Sequence, residues 1–158
     1  RLSILIGEKL ALSEKEINEL SITALLHDIG KLKIPTEVLS KEKPLTEKER
    51  LIIKCHPING AEMARGHFSS NIIDGIESHH EFFNGKGYPY NIKGDDIPVY
   101  SRIIAVADAL DAMTNVRPYR KKPLSADEAL SEIEVYANYQ FDPYIVKKLV
   151  KQMYIKNL

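Results

Sequence analysis

Histidines and aspartates recur in this chain at positions from which their side chains could meet. They are the adjacent residues His27-Asp28, the single His56, the adjacent pair His79-His80, and Asp108. A buried ionised carboxylate is costly unless a partner neutralises it, and a neutral imidazole needs a partner for each ring nitrogen. One shared cluster of metal ions would satisfy all of these groups, and we therefore predict a metal centre.

The ligand types limit the metal and the reaction. Imidazole and carboxylate without thiolate favour Mn, Fe, Zn or Ni over structural sulfur sites. Asp28 can bridge two ions while His27 binds one, and two ions about 3.5 to 4 Å apart can share a hydroxide that attacks phosphorus. Candidate phosphate contacts are Lys31, one turn after His27, and the guanidinium groups of Arg117 and Arg120.

Four helix starts are marked in the sequence. Ser13-x-x-Glu16, Thr46-x-x-Glu49 and Ser125-x-x-Glu128 match the capping box, in which a hydroxyl and a carboxylate satisfy free amides at a helix start. Asp142 followed by Pro143 marks the fourth, because proline loses nothing at the first helical position. Apolar residues fall mostly at helical spacing and strand-like alternation is scarce, so the predicted class is all-α.

The predicted helices carry the candidate ligands toward the core. An apolar stripe from Ser13 is expected to continue in helical register through His27, Asp28 and Lys31, and a helix over about residues 99 to 115 should turn Asp108 inward. Residues 46 to 65 should form a helical region broken or kinked at Pro57, beside His56.

The pair His79-His80 closes an apolar run just before a loop rich in glycine, proline and asparagine. Adjacent helical residues point about 100° apart, so on a helix the two imidazoles would serve two different ions.

The overall composition excludes several classes. With 158 residues the chain fits one compact domain, and with 22 basic and 22 acidic residues it has no global field that would draw it to nucleic acid. No apolar run approaches the roughly 18 to 20 residues of a membrane span. The single cysteine, Cys55, precludes an internal disulfide and fits a reducing compartment, so we expect a cytoplasmic protein.

Several residues also have a purely structural interpretation. A lone buried histidine such as His56 is usually a hydrogen-bonded core residue, and only the whole set favours a metal site. Cys55 is expected to be a small buried apolar residue rather than a thiolate ligand. Tyr88 could stack on a base or pack its loop against the helices, and the basic segment 117 to 122 could be a solvated loop.

The motifs together resemble the HD-GYP subgroup of the HD-domain phosphohydrolases, and the resemblance covers nearly the whole chain. The segments that carry it are His27-Asp28-Ile29-Gly30-Lys31, Pro44-Leu45-Thr46, His56-Pro57-x-x-Gly60, His79-His80-Glu81, Gly85-Lys86-Gly87-Tyr88-Pro89, Ala107-Asp108-Ala109-x-Asp111-Ala112 and Arg117-Pro118-Tyr119-Arg120. The Gly-Tyr-Pro signature after His-His-Glu distinguishes this subgroup from the HD enzymes that cleave nucleotides.

The resemblance implies an HD-domain helical bundle with a Gly-Tyr-Pro loop, which hydrolyses the bacterial second messenger cyclic di-GMP to pGpG and onward to GMP. It implies two or three divalent ions, usually iron or manganese, and a signalling role with an upstream sensory or receiver domain and diguanylate cyclase partners at the Gly-Tyr-Pro loop. Carried over residue by residue, the metal ligands are His27, Asp28, His56, His79, His80 and Asp108, and the substrate phosphate contacts are Lys31, Arg117 and Arg120.

Two departures from the family pattern qualify this expectation. The family places a histidine, and in trinuclear members a glutamate, on the helix before the His-Asp pair, and neither Glu8 nor Glu14 matches them. We therefore expect residues 1 to 158 to be an HD-GYP domain truncated at its N-terminus. Asn84 stands where the family usually has Asp, which should alter a loop turn rather than the site.

Two other functions fit the same residues. The chain could be an HD enzyme that acts on a nucleoside triphosphate or monophosphate, which a nucleotide panel would reveal. It could also be a non-catalytic module that binds cyclic di-GMP or a partner protein, which would bind ligand without turnover.

Overall fold

A computed structural model describes residues 1–116 and 122–156, with side chains described as far as residue 151. The α-helices are α1 (Leu2–Lys9), α2 (Glu14–Leu26), α3 (Thr36–Leu39), α4 (Glu47–Lys54), α5 (His56–Ala64), α6 (Ser70–Glu77), α7 (Val99–Thr114), α8 (Ala126–Val135) and α9 (Pro143–Lys156). Two short 3₁₀ helices span Ile29–Lys33 and Gly94–Asp96. The described residues contain no β-strand, so the all-α prediction is confirmed.

The four predicted helix starts are confirmed. Complete capping boxes begin α2 at Ser13, α4 at Thr46 and α8 at Ser125. Helix α9 begins at Pro143, and the Asp142 carboxylate accepts the amide of Tyr144 at 2.8 Å. Each capping interaction joins residues within one helical turn, so these helix starts depend on local sequence rather than on packing with distant segments.

Helix α7 lies at the centre of the main hydrophobic core. Its buried face includes Ile103, Ile104, Val106 and Leu110, which pack with residues of α1, α2, α8 and α9. A second, smaller cluster is formed by Ala64 of α5 with Ile72 and Ile76 of α6, and α6 also packs against α2 and α7. Packing in these two clusters therefore holds α2, α5 and α6 in place and so positions the ends of these helices.

Helix α2 ends earlier than its apolar stripe suggests. The α-helix stops at Leu26, His27 follows as its C-cap, and the chain tightens into the 3₁₀ turn Ile29–Lys33. The prediction that Lys31 continues the inward face is therefore wrong, and its side chain is 43% exposed. The reason is close packing, because a Cβ at Gly30 would collide with the His56 carbonyl oxygen and the Gly60 amide. Only glycine allows this 3₁₀ turn to lie directly against the start of α5.

The predicted helical region over residues 46 to 65 is divided into two helices. α4 ends at Lys54 and α5 begins at His56, with Pro57 in its first turn, so the break falls just before the proline rather than at it. Cys55 lies at the junction and is exposed, which corrects the prediction of a buried apolar cysteine. In the part of the chain that the structure describes, no helix has the length and apolar character needed to cross a bilayer.

A buried carboxylate joins α2, α6 and α7 near the core. Glu19 is 9% exposed and accepts hydrogen bonds from Ser69 (3.0 Å), Asn71 (3.1 Å) and the Tyr100 hydroxyl (3.0 Å). The bond from Asn71 contributes most to holding the pKa of Glu19 below its ordinary value, although burial opposes it. The carboxylate is therefore ionised at neutral pH and stabilises the frame in that form.

We expect Glu19→Ala to lower the free energy of unfolding by about 2 to 4 kcal/mol at pH 7, because it leaves buried donors without an acceptor. Since the folded-state pKa is lowered, this contribution is present above the ordinary carboxyl pKa and is lost as the pH falls through the folded value. Urea denaturation should thus show the wild type and variant converging in acid. The exposed neighbour Asn18→Ala is the control, and equal stability of the two variants at pH 7 would contradict the role of Glu19.

Candidate metal centre

Four of the predicted ligands converge on one point. One potential ligand atom from each of Asp28, His56, His79 and His80 lies within 4.8 Å of the other three. Asp28 lies between α2 and the 3₁₀ turn, His56 is the first residue of α5, and the histidine pair follows the end of α6. His56 and His79 are each 1% exposed. The Asp28 side chain is 39% exposed, so the group is assembled from helix ends with a buried side at His56 and His79 and an open side at Asp28.

Backbone carbonyls orient three imidazoles in the same way. The Nδ1 atoms of His27, His56 and His79 lie 2.8, 2.8 and 2.7 Å from the carbonyl oxygens of Ala24, Ile53 and Ile76, three residues earlier in each case. A carbonyl oxygen only accepts, so in a neutral ring Nδ1 must carry the proton and Nε2 must carry the free lone pair. This tautomer is the one that presents Nε2 as a metal ligand.

The Nε2 lone pair of His56 lies close to two other hydrogen-bond acceptors. The Nε2 atom of His56 lies 3.2 Å from the Nε2 atom of His79 and 3.2 Å from Oδ1 of Asp28. Burial lowers the pKa of His79 well below its ordinary value, and burial and the nearby His56 lower that of His80 to about 3. These two imidazoles are therefore neutral at pH 7. Converging neutral imidazoles and a carboxylate fit a divalent cation, which accepts all their lone pairs at once.

Asp28 is held in its ionised form. Burial opposes ionisation, but the hydrogen bond from Lys31 and the charge of its ammonium group hold the pKa of Asp28 below its usual range. Lys31 Nζ lies 2.6 Å from Oδ2, and His56 faces Oδ1. Each carboxylate oxygen thus has its own neighbours, which is the arrangement that a bridging carboxylate needs.

Two further predicted ligands border this group without belonging to it. His27 Nε2 lies 3.5 Å from Oδ2 of Asp28, and the ring centroid of His27 is 5.1 Å from that of His79. Asp108 of α7 lines a cavity of about 100 Å³ with His79 and His80, and another of about 220 Å³ with His27. Both residues therefore face space next to the cluster, and their roles as ligands stay predictions.

The predicted phosphate contacts have different outcomes. Lys31 lies at the site, paired with Asp28, and its half-exposed side chain also reaches solvent. Arg117 and Arg120 lie outside the described residues, so their predicted role stays a prediction.

The His79-His80 pair is arranged differently from the prediction. Helix α6 ends at Glu77 with Ser78 as its C-cap, so the pair is not helical. The two ring centroids are 4.1 Å apart with an angle of 42° between the ring planes, and both rings offer an atom to the same four-residue group. The prediction that the pair lies on a helix is wrong, because α6 has already ended, and the binding of two different ions by the pair stays a prediction.

The Gly-Tyr-Pro loop folds directly back onto this pair. The amide of Tyr88 donates to the His80 carbonyl oxygen at 3.2 Å, and the Tyr88 ring stacks on the His80 imidazole with a centroid distance of 4.9 Å and a 25° interplanar angle. A Cβ at Gly87 would collide with the backbone of residues 80 to 82, so this position requires glycine. This contact is a packing role for Tyr88, and stacking on a base, the other role predicted from the sequence, stays a prediction.

Two contacts of this loop were not predicted as functional. Glu81, 3% exposed, accepts the amide of Tyr90 at 2.6 Å, and Lys54 Nζ lies 5.2 Å from the centroid of the Tyr88 ring. The position of Glu81 in the His-His-Glu motif was the only available signal. As expected for a loop turn, Asn84 uses its side chain to accept the amide of Lys86 at 3.0 Å.

Comparison with known proteins agrees with the fold and with the predicted family. The HD-domain family model matches residues 1–145, and the chain belongs to this family, as an HD-GYP domain. The response regulator RpfG of Xanthomonas campestris, named a cyclic di-GMP phosphodiesterase, is 40% identical over 93% of this chain and 39% of its own length. A Thermotoga maritima cyclic di-GMP phosphodiesterase is 39% identical over 92% of this chain and 40% of its own. The chain thus spans about two fifths of these relatives.

Solved structures extend the comparison. A cyclic GMP-AMP specific phosphodiesterase of Vibrio cholerae has a TM-score of 0.72 at 28% identity, over 96% of this chain and 42% of that one. Bd1817, an HD-GYP-type protein of Bdellovibrio bacteriovorus, has a TM-score of 0.74 at 24% identity, over 96% of this chain and 49% of that one. The second likeness concerns the fold alone.

We expect His56→Gln to lower the affinity for Mn²⁺ by more than about 100-fold, because loss of a ligand costs more than the 10- to 100-fold typical of supporting residues. Titration of the chelator-treated protein with Mn²⁺ measures this. His67→Gln is the matched control, since His67 is exposed and is the one histidine that is not a predicted ligand. Equal Mn²⁺ affinity of His56→Gln and wild type would contradict the site.

Proposed function

We propose that this chain is a metal-dependent phosphodiesterase that hydrolyses cyclic di-GMP to pGpG and onward to GMP. The observation that carries the proposal is the convergence of Asp28, His56, His79 and His80 on one partly buried point, with Lys31 beside it. The printed names of several relatives, two of them given above, support the same substrate.

In this proposal six residues hold two divalent ions, or three, of iron or manganese. The ligands are His27, Asp28, His56, His79, His80 and Asp108. When bound, the ions supply Lewis acidity, which activates water for attack on phosphorus and offsets charge on the phosphoryl oxygens. Asp28 has the central position because its two oxygens face different neighbours.

The chain's own residues prepare this site before substrate arrives. Carbonyl contacts hold the Nε2 atoms of three histidines toward the centre, which reduces the reorganisation that ligand binding requires. Lys31 has three ammonium donors and gives one to Asp28, so the others are free to contact a phosphate oxygen at the exposed side. Arg117 and Arg120 are proposed as further phosphate contacts.

A second substrate has specific support. Relatives in Vibrio cholerae are named 3'3'-cGAMP-specific phosphodiesterases, and one is 33% identical over 94% of this chain and 32% of its own length. This molecule has the same phosphodiester chemistry and differs in one base, so base contacts rather than the metal site would decide between the substrates. The upstream sensory or receiver domain and the diguanylate cyclase partners stay proposals of the same kind.

We expect Asp28→Asn to lower kcat for cyclic di-GMP by more than about 100-fold. The neutral amide would bind the metal ions more weakly than the negatively charged carboxylate does. Product formation is followed by chromatography of pGpG and GMP. Lys33→Gln is the control, since Lys33 pairs with Glu62 away from the cluster. Wild-type turnover by Asp28→Asn would refute the proposed role of Asp28.

We expect the Mn²⁺- or Fe²⁺-loaded protein to hydrolyse cyclic di-GMP with a higher kcat/KM than nucleoside triphosphates or monophosphates. A panel that includes 3'3'-cGAMP measures the preference among cyclic dinucleotides. Phosphate release from a mononucleotide as the dominant activity would favour the nucleotide phosphohydrolase alternative. Tight binding of cyclic di-GMP without product would favour the non-catalytic module.

A further inference from the structure

His80 differs from the other histidines of the cluster. Within the described residues its ring makes no hydrogen bond, whereas the rings of His27, His56 and His79 are each fixed by a carbonyl. The His80 imidazole instead contacts other rings: it lies 4.9 Å from Tyr88, nearly parallel, and 4.9 Å from His56, nearly perpendicular. Its orientation therefore depends on the residue that stacks on it.

Hydrogen bonds hold the backbone at Tyr88 and at the residues that follow it. On one side the Tyr88 amide donates to the His80 carbonyl oxygen, and Gly87 packs against the backbone beside it. On the other side the loop returns to Glu81, whose carboxylate accepts the amide of Tyr90 at 2.6 Å. A single buried carboxylate thus closes the loop directly after the histidine pair.

We propose that Glu81 is a positioning residue for the metal site: it clamps the backbone after Tyr88, and the clamped Tyr88 ring holds the His80 imidazole in its ligand orientation. The inference rests on the proposed function, because it assigns His80 as a ligand. Glu81 itself contacts no ion in this account and acts only through the loop.

The burial of Glu81 indicates that its carboxylate has a specific structural role in the loop. Burial of a carboxylate is unfavourable unless hydrogen bonds compensate for it, and Glu81 is only 3% exposed. One carboxylate oxygen, Oε2, has no hydrogen-bond partner among the described residues. A carboxylate buried at this cost provides what an apolar side chain cannot, an acceptor for the amide of Tyr90 in a tight loop.

Glu77 provides a matched comparison. It also binds the loop at Tyr90, but through the side-chain hydroxyl at 2.8 Å rather than through the backbone amide. Loss of this bond frees the exposed Tyr90 side chain and leaves the loop backbone clamped. Glu77→Gln therefore removes a carboxylate next to the same loop without affecting the Tyr88 stack.

The test measures Mn²⁺ affinity by titration of the chelator-treated protein, with folding checked by circular dichroism. We expect Glu81→Ala and Tyr88→Leu each to weaken Mn²⁺ binding by about 10- to 100-fold, the range for residues that orient metal ligands. The double variant should bind Mn²⁺ no more weakly than the single variant with the lower affinity. Both substitutions act through the same contact between the Tyr88 and His80 rings, so their effects should not add. Glu81→Gln, which keeps an accepting oxygen, and Glu77→Gln should bind Mn²⁺ within about threefold of wild type.

Several results would overturn the inference. One is wild-type Mn²⁺ affinity in Glu81→Ala, and another is a double variant whose loss of Mn²⁺ affinity is the product of the two single losses. A third is a loss of Mn²⁺ affinity in Glu81→Gln as large as that in Glu81→Ala, which would indicate an effect of charge. If Glu81→Ala does not fold, wild-type Mn²⁺ affinity in Tyr88→Leu would still refute the account. Failure of the proposed function is distinguishable, because then the wild type itself would bind no Mn²⁺ or would bind it without hydrolysing a cyclic dinucleotide.

Discussion

The close approach of imidazole nitrogens that cannot hydrogen-bond to one another is the constraint on which the rest of the site depends. In neutral rings, carbonyl contacts place the proton of His27, His56 and His79 on Nδ1, so the Nε2 lone pairs of His56 and His79 are presented to a common centre and that of His27 lies beside it. His56 and His79 thereby face each other at 3.2 Å, next to an ionised Asp28. Such a set of acceptors is unfavourable without a cation and favourable with one, which is why we regard the cluster as built for metal.

Helix ends, rather than helix faces, bring these groups together. Asp28 follows α2, His56 begins α5, and the histidine pair follows α6, so each ligand lies where the backbone changes direction. Gly30 permits the close contact between the 3₁₀ turn and α5, and Gly87 permits the loop to lie on the backbone after the histidine pair. The buried core of α7 and the Glu19 network hold the helices whose ends carry the ligands.

Much of this could be predicted from the sequence, because some signals are local. The capping boxes and Asp142-Pro143 located four helix starts, and the residue types of the histidines and aspartates suggested the kind of site. What the sequence did not reveal depends on packing between distant segments: the early end of α2, the exposure of Cys55, and the mutual orientation of His79 and His80. The contact of Glu81 with the amide of Tyr90, nine residues away, follows from the path of the loop, which no local pattern specifies.

The most direct test of the account is a crystal structure of the protein with bound Mn²⁺, with anomalous difference maps recorded at the manganese absorption edge. The account predicts an anomalous peak among Asp28, His56, His79 and His80, within coordinating distance of Nε2 of His56 and His79. An ordered site with these side chains in the same positions and no peak between them, in crystals that bind Mn²⁺ elsewhere on the chain, would contradict it.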